Sequence, residues 1–248
     1  MRRSSPVARR SSCRPGSPGF AASLREPSSD RRATCDGRRA SVLGLLLLTA
    51  AALSAADPPK ITFTKAFPAS VPDYVEITVD KEGHGVYKEG KTDDSPMDFQ
   101  LAAAETEAVF DLAAKLDHFS KPLESPLKVA FMGDKTFRWE NGSEKHEVKF
   151  NYSARPEAQQ LWDWFERMEE TEQRFALLDS ATHFDRLGVN QALLELEAAF
   201  DRKRLVDLAQ FLPLLDRIAG SEHFMHMARE RAAALADTIR NPPKAAGQ

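Results

Sequence analysis

Cysteine is almost absent from the 248-residue chain, and both of its cysteines, Cys13 and Cys35, lie within the first 56 residues. Residues 57–248 therefore have no disulfide, no thiol nucleophile and no thiolate ligand for a metal. A cysteine-free segment of this length must be stabilised by the packing of its own hydrophobic core.

The common catalytic and nucleotide-binding signatures are also missing. The sequence contains no G-x-S-x-G, H-E-x-x-H, P-loop or G-x-G-x-x-G pattern. We therefore assign no catalytic residue and expect no cofactor, and a non-enzymatic role is the favoured interpretation.

Each part of the chain lacks charges of one sign. The first 56 residues hold ten arginines, no lysine and three acidic residues, a formal charge of +7, whereas residues 57–248 hold 24 basic and 34 acidic residues, a charge of -10. The two parts are therefore different kinds of segment. The negative charge of the second part argues against nucleic-acid binding and favours solubility or a basic partner.

The N-terminal part is typical of an export address. Residues 1–37 are rich in Arg, Ser and Pro, which predicts a disordered leader. Residues 38–56 combine two arginines with the uncharged run ASVLGLLLLTAAALSAA, which predicts a signal peptide that is cleaved after Ala56. The chain is then periplasmic or secreted, with no stable membrane span after cleavage. The alternatives are an uncleaved anchor and, because of Arg38-Arg39, twin-arginine export.

Residues 57–178 show the pattern of an α+β domain. Alternating apolar residues predict strands at 61–64, 74–79, 86–88, 97–101, 127–131, 136–139 and 147–152. Gly83 and Gly85 are expected to allow positive φ in the first hairpin, and Asn141-Gly142 predicts a second tight hairpin. Helices are predicted over 102–116 and from a Ser153 cap to about Leu178. This order predicts an antiparallel sheet with two helices packed on one face.

One part of this domain resembles a known kind of protein. The pattern Tyr74-x-x-x-Thr78-x-Asp80-x-x-Gly83-x-Gly85-x-Tyr87-x-x-Gly90 precedes a helix that ends Leu116-x-x-Phe119. Over about residues 60–165 it is similar to small secreted bacterial domains of unknown function. The resemblance implies a fold layout and an exported address, but no activity and no site residues.

Helical periodicity dominates residues 182–240. Three helices are predicted there: one that opens near Asp185, one over Asp207–Ile218 with a kink or a start at Pro213, and one after Ser221. With short links they form a small C-terminal helical bundle. Residues 241–248 are expected to be a flexible tail.

Three histidines are candidate metal ligands. His223 and His226 are three positions apart, which on a helix would place both imidazoles on one face, and His183 could supply a third nitrogen. This set would make the chain an exported metal-binding protein or hydrolase. The competing interpretation is that these side chains cover a seam between helices.

The three tryptophans are candidate contact residues. If Trp139, Trp162 or Trp164 is exposed, it could contact a protein or a carbohydrate. Trp162 and Trp164 lie about 200° apart on a helix, so they cannot both face one core. Packing in the core or between domains is the competing interpretation.

Together these features favour an exported, non-catalytic protein-interaction module of the bacterial envelope, with an unidentified protein partner. The alternatives are a metal protein or hydrolase that uses the three histidines, and a carbohydrate-binding module that uses the tryptophans.

Overall fold

The computed structural model describes residues 58–68, 70–92 and 95–242. The strands in this part of the chain are β1 (Lys60–Ala66), β2 (Tyr74–Asp80), β3 (His84–Glu89), β4 (Met97–Gln100), β5 (Asp134–Asn141) and β6 (Glu144–Phe150). The helices are α1 (Ala103–Lys115), α2 (Pro156–Phe184), α3 (Val189–Asp201), α4 (Leu212–Gly220) and α5 (His226–Arg240). The predicted leader, the predicted signal peptide and most of the predicted tail lie outside the described residues.

The six strands form one antiparallel sheet in the order β4-β3-β2-β1-β5-β6. Side chains alternate along each strand, so one face of the sheet is apolar and buried. Helices α1 and α2 place Val109, Leu112, Leu161 and Phe165 in the same core as this face. The predicted α+β fold is therefore confirmed.

Aromatic rings fill the centre of the sheet core. Phe63 of β1 stacks on Phe165 of α2 with ring centroids 5.0 Å apart, and Phe137 lies 5.6 Å from Phe63. Lys65, at the end of the same strand, donates hydrogen bonds of 2.8 and 2.6 Å to the two carboxylate oxygens of Glu169. Apolar stacking and this ion pair together fix α2 across the sheet.

The opposite face of the sheet is polar. Thr62 and Thr78 share a hydrogen bond of 3.1 Å, Arg138 pairs with Glu147, and Lys60 pairs with Glu140. These pairs link polar side chains of neighbouring strands on the solvent-facing side, as expected for an antiparallel sheet that is covered on one side only.

Helix α2 takes part in two cores. Its first half packs on the sheet, whereas Leu178 and Ala181 join a second core built from α3, α4 and α5. The helix runs to Phe184, past its predicted end near Leu178, because the sequence supplies no helix breaker before Gly188. The described residues, from 58 to 242, belong to one compact unit.

The glycines of the first hairpin have different roles. Gly83, at φ +85°, lies in the turn as predicted. Gly85 lies inside β3 and has no positive φ, so the prediction for it was wrong. A Cβ at Gly85 would lie 2.2 Å from the ring of Phe99, and its role is therefore to make room for that ring.

Three other local predictions were wrong. Residues 127–131 form no strand. The N-cap position of α2 is Arg155, whose side chain makes no capping bond, and not Ser153. Helix α5 begins only at His226, because Ser221 holds a turn in which its Oγ accepts from the backbone N–H of His223 at 3.4 Å. His223 therefore precedes the helix and does not share a helical face with His226.

Among the described residues, no helix has the length and apolarity that a membrane crossing requires.

Candidate functional site

Large apolar side chains are exposed together at one end of the sheet. They belong to two loops, the one that joins β1 to β2 and the one that leads into β5, which adjoin because Ala66 pairs with Asp134. We define this apolar end surface by its six side chains, which are between 39% and 100% exposed: Phe67, Val71, Leu127, Val129, Phe131 and Met132.

The two loops contact each other through aromatic rings. Phe67 meets Phe131 edge-on, with ring centroids 5.9 Å apart. The backbone N–H of Phe67 donates to the carbonyl of Asp73 at 2.9 Å, which closes the first loop. Gly133, at φ +91°, lies against Phe67, where a Cβ would be only 3.1 Å from the Phe67 Cβ. The surface is therefore continuous from one loop to the other.

Asn151 holds the second loop in place. Its side-chain oxygen accepts from the backbone N–H of Met132 at 2.7 Å, and its side-chain nitrogen donates to the carbonyl of Ala130 at 3.1 Å. One amide side chain thus supplies the bonds that a neighbouring strand would otherwise provide. These bonds fix the end of the segment 127–131, which is not part of the sheet.

A buried lysine also holds the second loop, from the core side of the sheet. Lys135 is fully buried, and its Nζ donates to the carbonyls of Met132 and Asn151 at 3.2 and 2.9 Å. The ammonium also lies 4.2 Å from the ring centroid of Trp162. Burial lowers the pKa of Lys135, while the negative charge of Glu166 acts in the opposite direction. The sequence pattern gave no sign of this anchor.

The edges of the sheet differ from the apolar end surface. Strand β4 is only four residues long. Strand β6 exposes charged side chains at Glu144, Lys145, Glu147 and Lys149. Short and charged edges resist pairing with another sheet. In the sheet part of the described chain, the exposed large apolar side chains therefore lie in the two loops and not at the sheet edges.

A second exposed apolar surface lies where α2 turns into α3. Phe184 is 88% exposed and Leu187 is 76% exposed, and we call this pair the helical corner. The turn between the helices is closed by Asp185, whose carboxylate accepts from the backbone N–H of Gly188 at 3.0 Å.

The three tryptophans all belong to the sheet core or pack against it. Trp139 is only 5% exposed and is stacked against His118 at 4.3 Å. Trp162 is next to Lys135, and Arg167 lies 4.3 Å from the ring of Trp164. Each indole therefore has a protein neighbour on its ring, and the structure does not assemble the three into an open platform.

The structure does not bring the three candidate metal ligands together. His183 lies 3.4 Å from Asp179, and His226 lies 3.2 Å from Glu230. His223 is in the turn before α5. A search of the part of the chain that the structure describes finds no group of three or more His, Cys, Asp or Glu able to hold a metal.

Comparison of the chain with protein-family models and with curated proteins gave no match. The resemblance to secreted domains of unknown function therefore remains a prediction from residues 60–165.

Proposed function

We propose that the chain is an exported, non-catalytic interaction module of the bacterial envelope, and that it binds a partner protein through the apolar end surface. The observation that carries this proposal is the exposure of six large apolar side chains in two adjoining loops. Contiguous apolar exposure of this kind marks interaction sites in soluble proteins.

The contacts that hold the two loops support binding of a structured partner. The second loop is held by Asn151 and Lys135, and the first is joined to it by the contact between Phe67 and Phe131. A surface that is already ordered loses little conformational entropy when a partner binds. The partner we expect presents a complementary apolar surface, and the acidic charge of residues 57–248 favours basic residues around it.

The export part of the proposal rests on the sequence. The run from Arg38 to Ala56 has the charge and length of a signal peptide, and the remaining chain contains no cysteine. The test is fractionation of cells that produce the full chain with a C-terminal tag. We expect a mature form that begins at Asp57 in the periplasm or the medium, and full-length protein in the cytoplasm would contradict export.

The interaction is tested by capture from the envelope fraction with the tagged protein. Leu127→Ser/Phe131→Ser removes two apolar side chains from the surface, and we expect it to reduce recovery of the partner by about tenfold or more. The matched control is Leu177→Ser/Leu194→Ser, which changes two other partly exposed leucines, at 42% and 39% exposure.

A partner recovered by the wild type and the control, and lost with Leu127→Ser/Phe131→Ser, would support the proposal once the purified proteins reproduce the difference. Equal recovery with all three proteins would contradict it. Because the substituted side chains are exposed, the melting temperatures should agree, and this comparison excludes misfolding as the cause.

A further inference from the structure

A cavity of about 480 Å³ opens near the other end of β5, away from the apolar end surface. It lies between α1, the turn that follows β2, and the side chain of Trp139. Helix α1 forms one wall with residues that are about one turn apart. The small side chains of Ala103 and Ala114 leave room for the cavity, and Phe110 lies between them. The cavity is large enough for a small organic ligand.

Aromatic rings form one side of this cavity. His118 stacks on Trp139 at 4.3 Å with 28° between the ring planes, and Phe110 meets Trp139 edge-on at 5.9 Å. Trp139 is covered by these neighbours, so the ring that can attract a cation over its π face is that of Phe110, which is only partly buried.

An unusual backbone conformation holds His118 in this position. Asp117, His118 and Phe119 have φ values of 53°, 48° and 64°, so three consecutive non-glycine residues are left-handed. Each such residue costs about 1–2 kcal/mol relative to the right-handed form. The carbonyl of His118 is fixed by His146, whose Nδ1 lies 3.1 Å away. Strain of this kind is concentrated at functional sites.

The rim of the cavity is acidic. Glu82, Glu107 and Asp111 line it, against a single Lys81. Glu107 and Asp111 are one helical turn apart on α1, and both are exposed. The charged side chains at the rim therefore favour a positively charged ligand.

One polar group at the cavity has no partner. Trp139 is 95% buried as a residue, and its indole Nε1 has no hydrogen-bond acceptor among the described residues. A buried donor without an acceptor costs about 1–3 kcal/mol. This N–H is inaccessible to solvent, so it reports on a ligand through changes in the packing of the Trp139 ring and not through a direct bond.

We propose that this cavity binds an organic cation through its ammonium or guanidinium group. The group donates hydrogen bonds to the carboxylates of Glu107 and Asp111 and lies against the aromatic side of the cavity. The site is separate from the apolar end surface, so this proposal does not depend on whether that surface binds a protein. The same chemistry is offered by a free amine and by a Lys or Arg side chain of a peptide.

The test is titration of the full-length protein, followed by calorimetry and by NMR of the indole N–H groups. The chain has three tryptophans, so Trp162→Phe and Trp164→Phe identify the signal of Trp139. The probes are spermidine as a free amine, a blocked Gly-Arg-Gly peptide as a side-chain source, and glucose as a neutral control. We expect one of the two cationic probes to shift the Trp139 signal, and glucose to leave it unchanged.

Two variants locate the site. Glu107→Gln/Asp111→Asn removes both charges of α1 at the rim, and we expect it to weaken binding by about tenfold or more. Ala114→Phe fills the cavity from an exposed helix position and should abolish binding. The control Asp201→Asn/Glu222→Gln makes the same charge change at exposed positions elsewhere. Its affinity for the probe should stay within about twofold of that of the wild type.

Binding of spermidine alone identifies a free-amine site, and binding of the arginine peptide identifies a peptide side-chain site. The proposal is overturned if neither cationic probe shifts the Trp139 signal, if glucose shifts it equally, or if Ala114→Phe binds as well as the wild type while keeping the wild-type melting temperature.

Discussion

Glu172 places a carboxyl group in the interior, where α2 meets the turn at Leu208–Phe211. It is 1% exposed, and its Oε1 accepts a hydrogen bond of 3.0 Å from Gln210, while its Oε2 has no partner among the described residues. Burial raises the pKa of Glu172 to about 7, the Gln210 hydrogen bond lowers it, and the charge of Asp207 raises it. The folded protein therefore holds this proton more tightly than the unfolded chain does.

This raised pKa predicts a loss of stability with rising pH. Between the ordinary pKa of 4.5 and about 7, the folded state binds more protons than the unfolded state, so the free energy of unfolding falls as pH rises. Glu172→Gln keeps a carbonyl for Gln210 and removes the charge. We expect it to raise the free energy of unfolding by up to about 3 kcal/mol near pH 8 and to change little near pH 4.

Urea unfolding of the two proteins at both pH values measures this difference. Glu222→Gln, at an exposed position, is the control and should follow the wild-type pH profile. If Glu172→Gln and the wild type keep equal midpoints near pH 8, the proposed charge cost of Glu172 is wrong.

At the scale of elements, a single hydroxyl joins α2 to the loop that follows α3. Thr171 is fully buried, and its Oγ accepts from the backbone N–H of Val206 at 3.0 Å while donating to the carbonyl of Arg167 at 2.7 Å. Val206 packs in the sheet core, so this bond helps to hold the loop after α3 against the sheet.

Removing the hydroxyl should weaken this connection. Thr171→Val preserves the shape of the side chain but leaves the Val206 N–H buried without an acceptor, and we expect a loss of about 1–3 kcal/mol in the free energy of unfolding. Thr171→Ser keeps the oxygen and should lose less. Chemical unfolding, monitored by circular dichroism, ranks the stabilities of the wild type and the two variants. A Thr171→Val variant as stable as Thr171→Ser would contradict the prediction.

An element could be predicted from the sequence where it depends on the pattern of neighbouring residues, and not where it depends on contacts between distant ones. Strands β1, β2 and β5 and helix α1 followed from alternation and helical spacing, because those patterns show which face is buried. The same alternation at Leu127, Val129 and Phe131 suggested a strand, yet a strand also needs a partner backbone. Asn151 instead bonds the carbonyl of Ala130 and the N–H of Met132, at the end of this segment.

The candidate sites were less predictable than the fold. No sequence rule places a lysine in the core, and Lys135 is buried only because two carbonyls and Trp162 meet its ammonium. The left-handed turn at residues 117–119 contains no glycine that would signal it. Both features depend on contacts between distant parts of the chain.

At the scale of the whole molecule, α2 links the two cores covalently and by packing. All three tryptophans lie in or against the sheet core, whereas the second core is helical and contains none. Tryptophan fluorescence therefore reports on the sheet core, and circular dichroism at helical wavelengths reports on both.

We expect the folded part of the chain to unfold in one cooperative transition, because neither core retains its packing once α2 is lost. Fluorescence and circular dichroism should then give coincident midpoints in urea. A dichroism change that precedes the fluorescence change would contradict this expectation and would show that the helical part unfolds first.

The length of α2 also sets how far the helical corner lies from the sheet. Asn151, which holds the apolar end surface, lies shortly before the helix begins, and Phe184 of the helical corner is its last residue. Its 29 residues span about 44 Å, at about 1.5 Å per residue. The first loop of the apolar end surface is nearer to the corner than this, because Lys65, two residues before Phe67, bonds to Glu169, about 22 Å of helix before Phe184. A compact partner domain of about 100 residues, with a radius of gyration of about 13 Å, can span that distance. A partner that contacts both Phe67 and the helical corner therefore need not be elongated, and in a partner with two modules the second contact would gain avidity from the first.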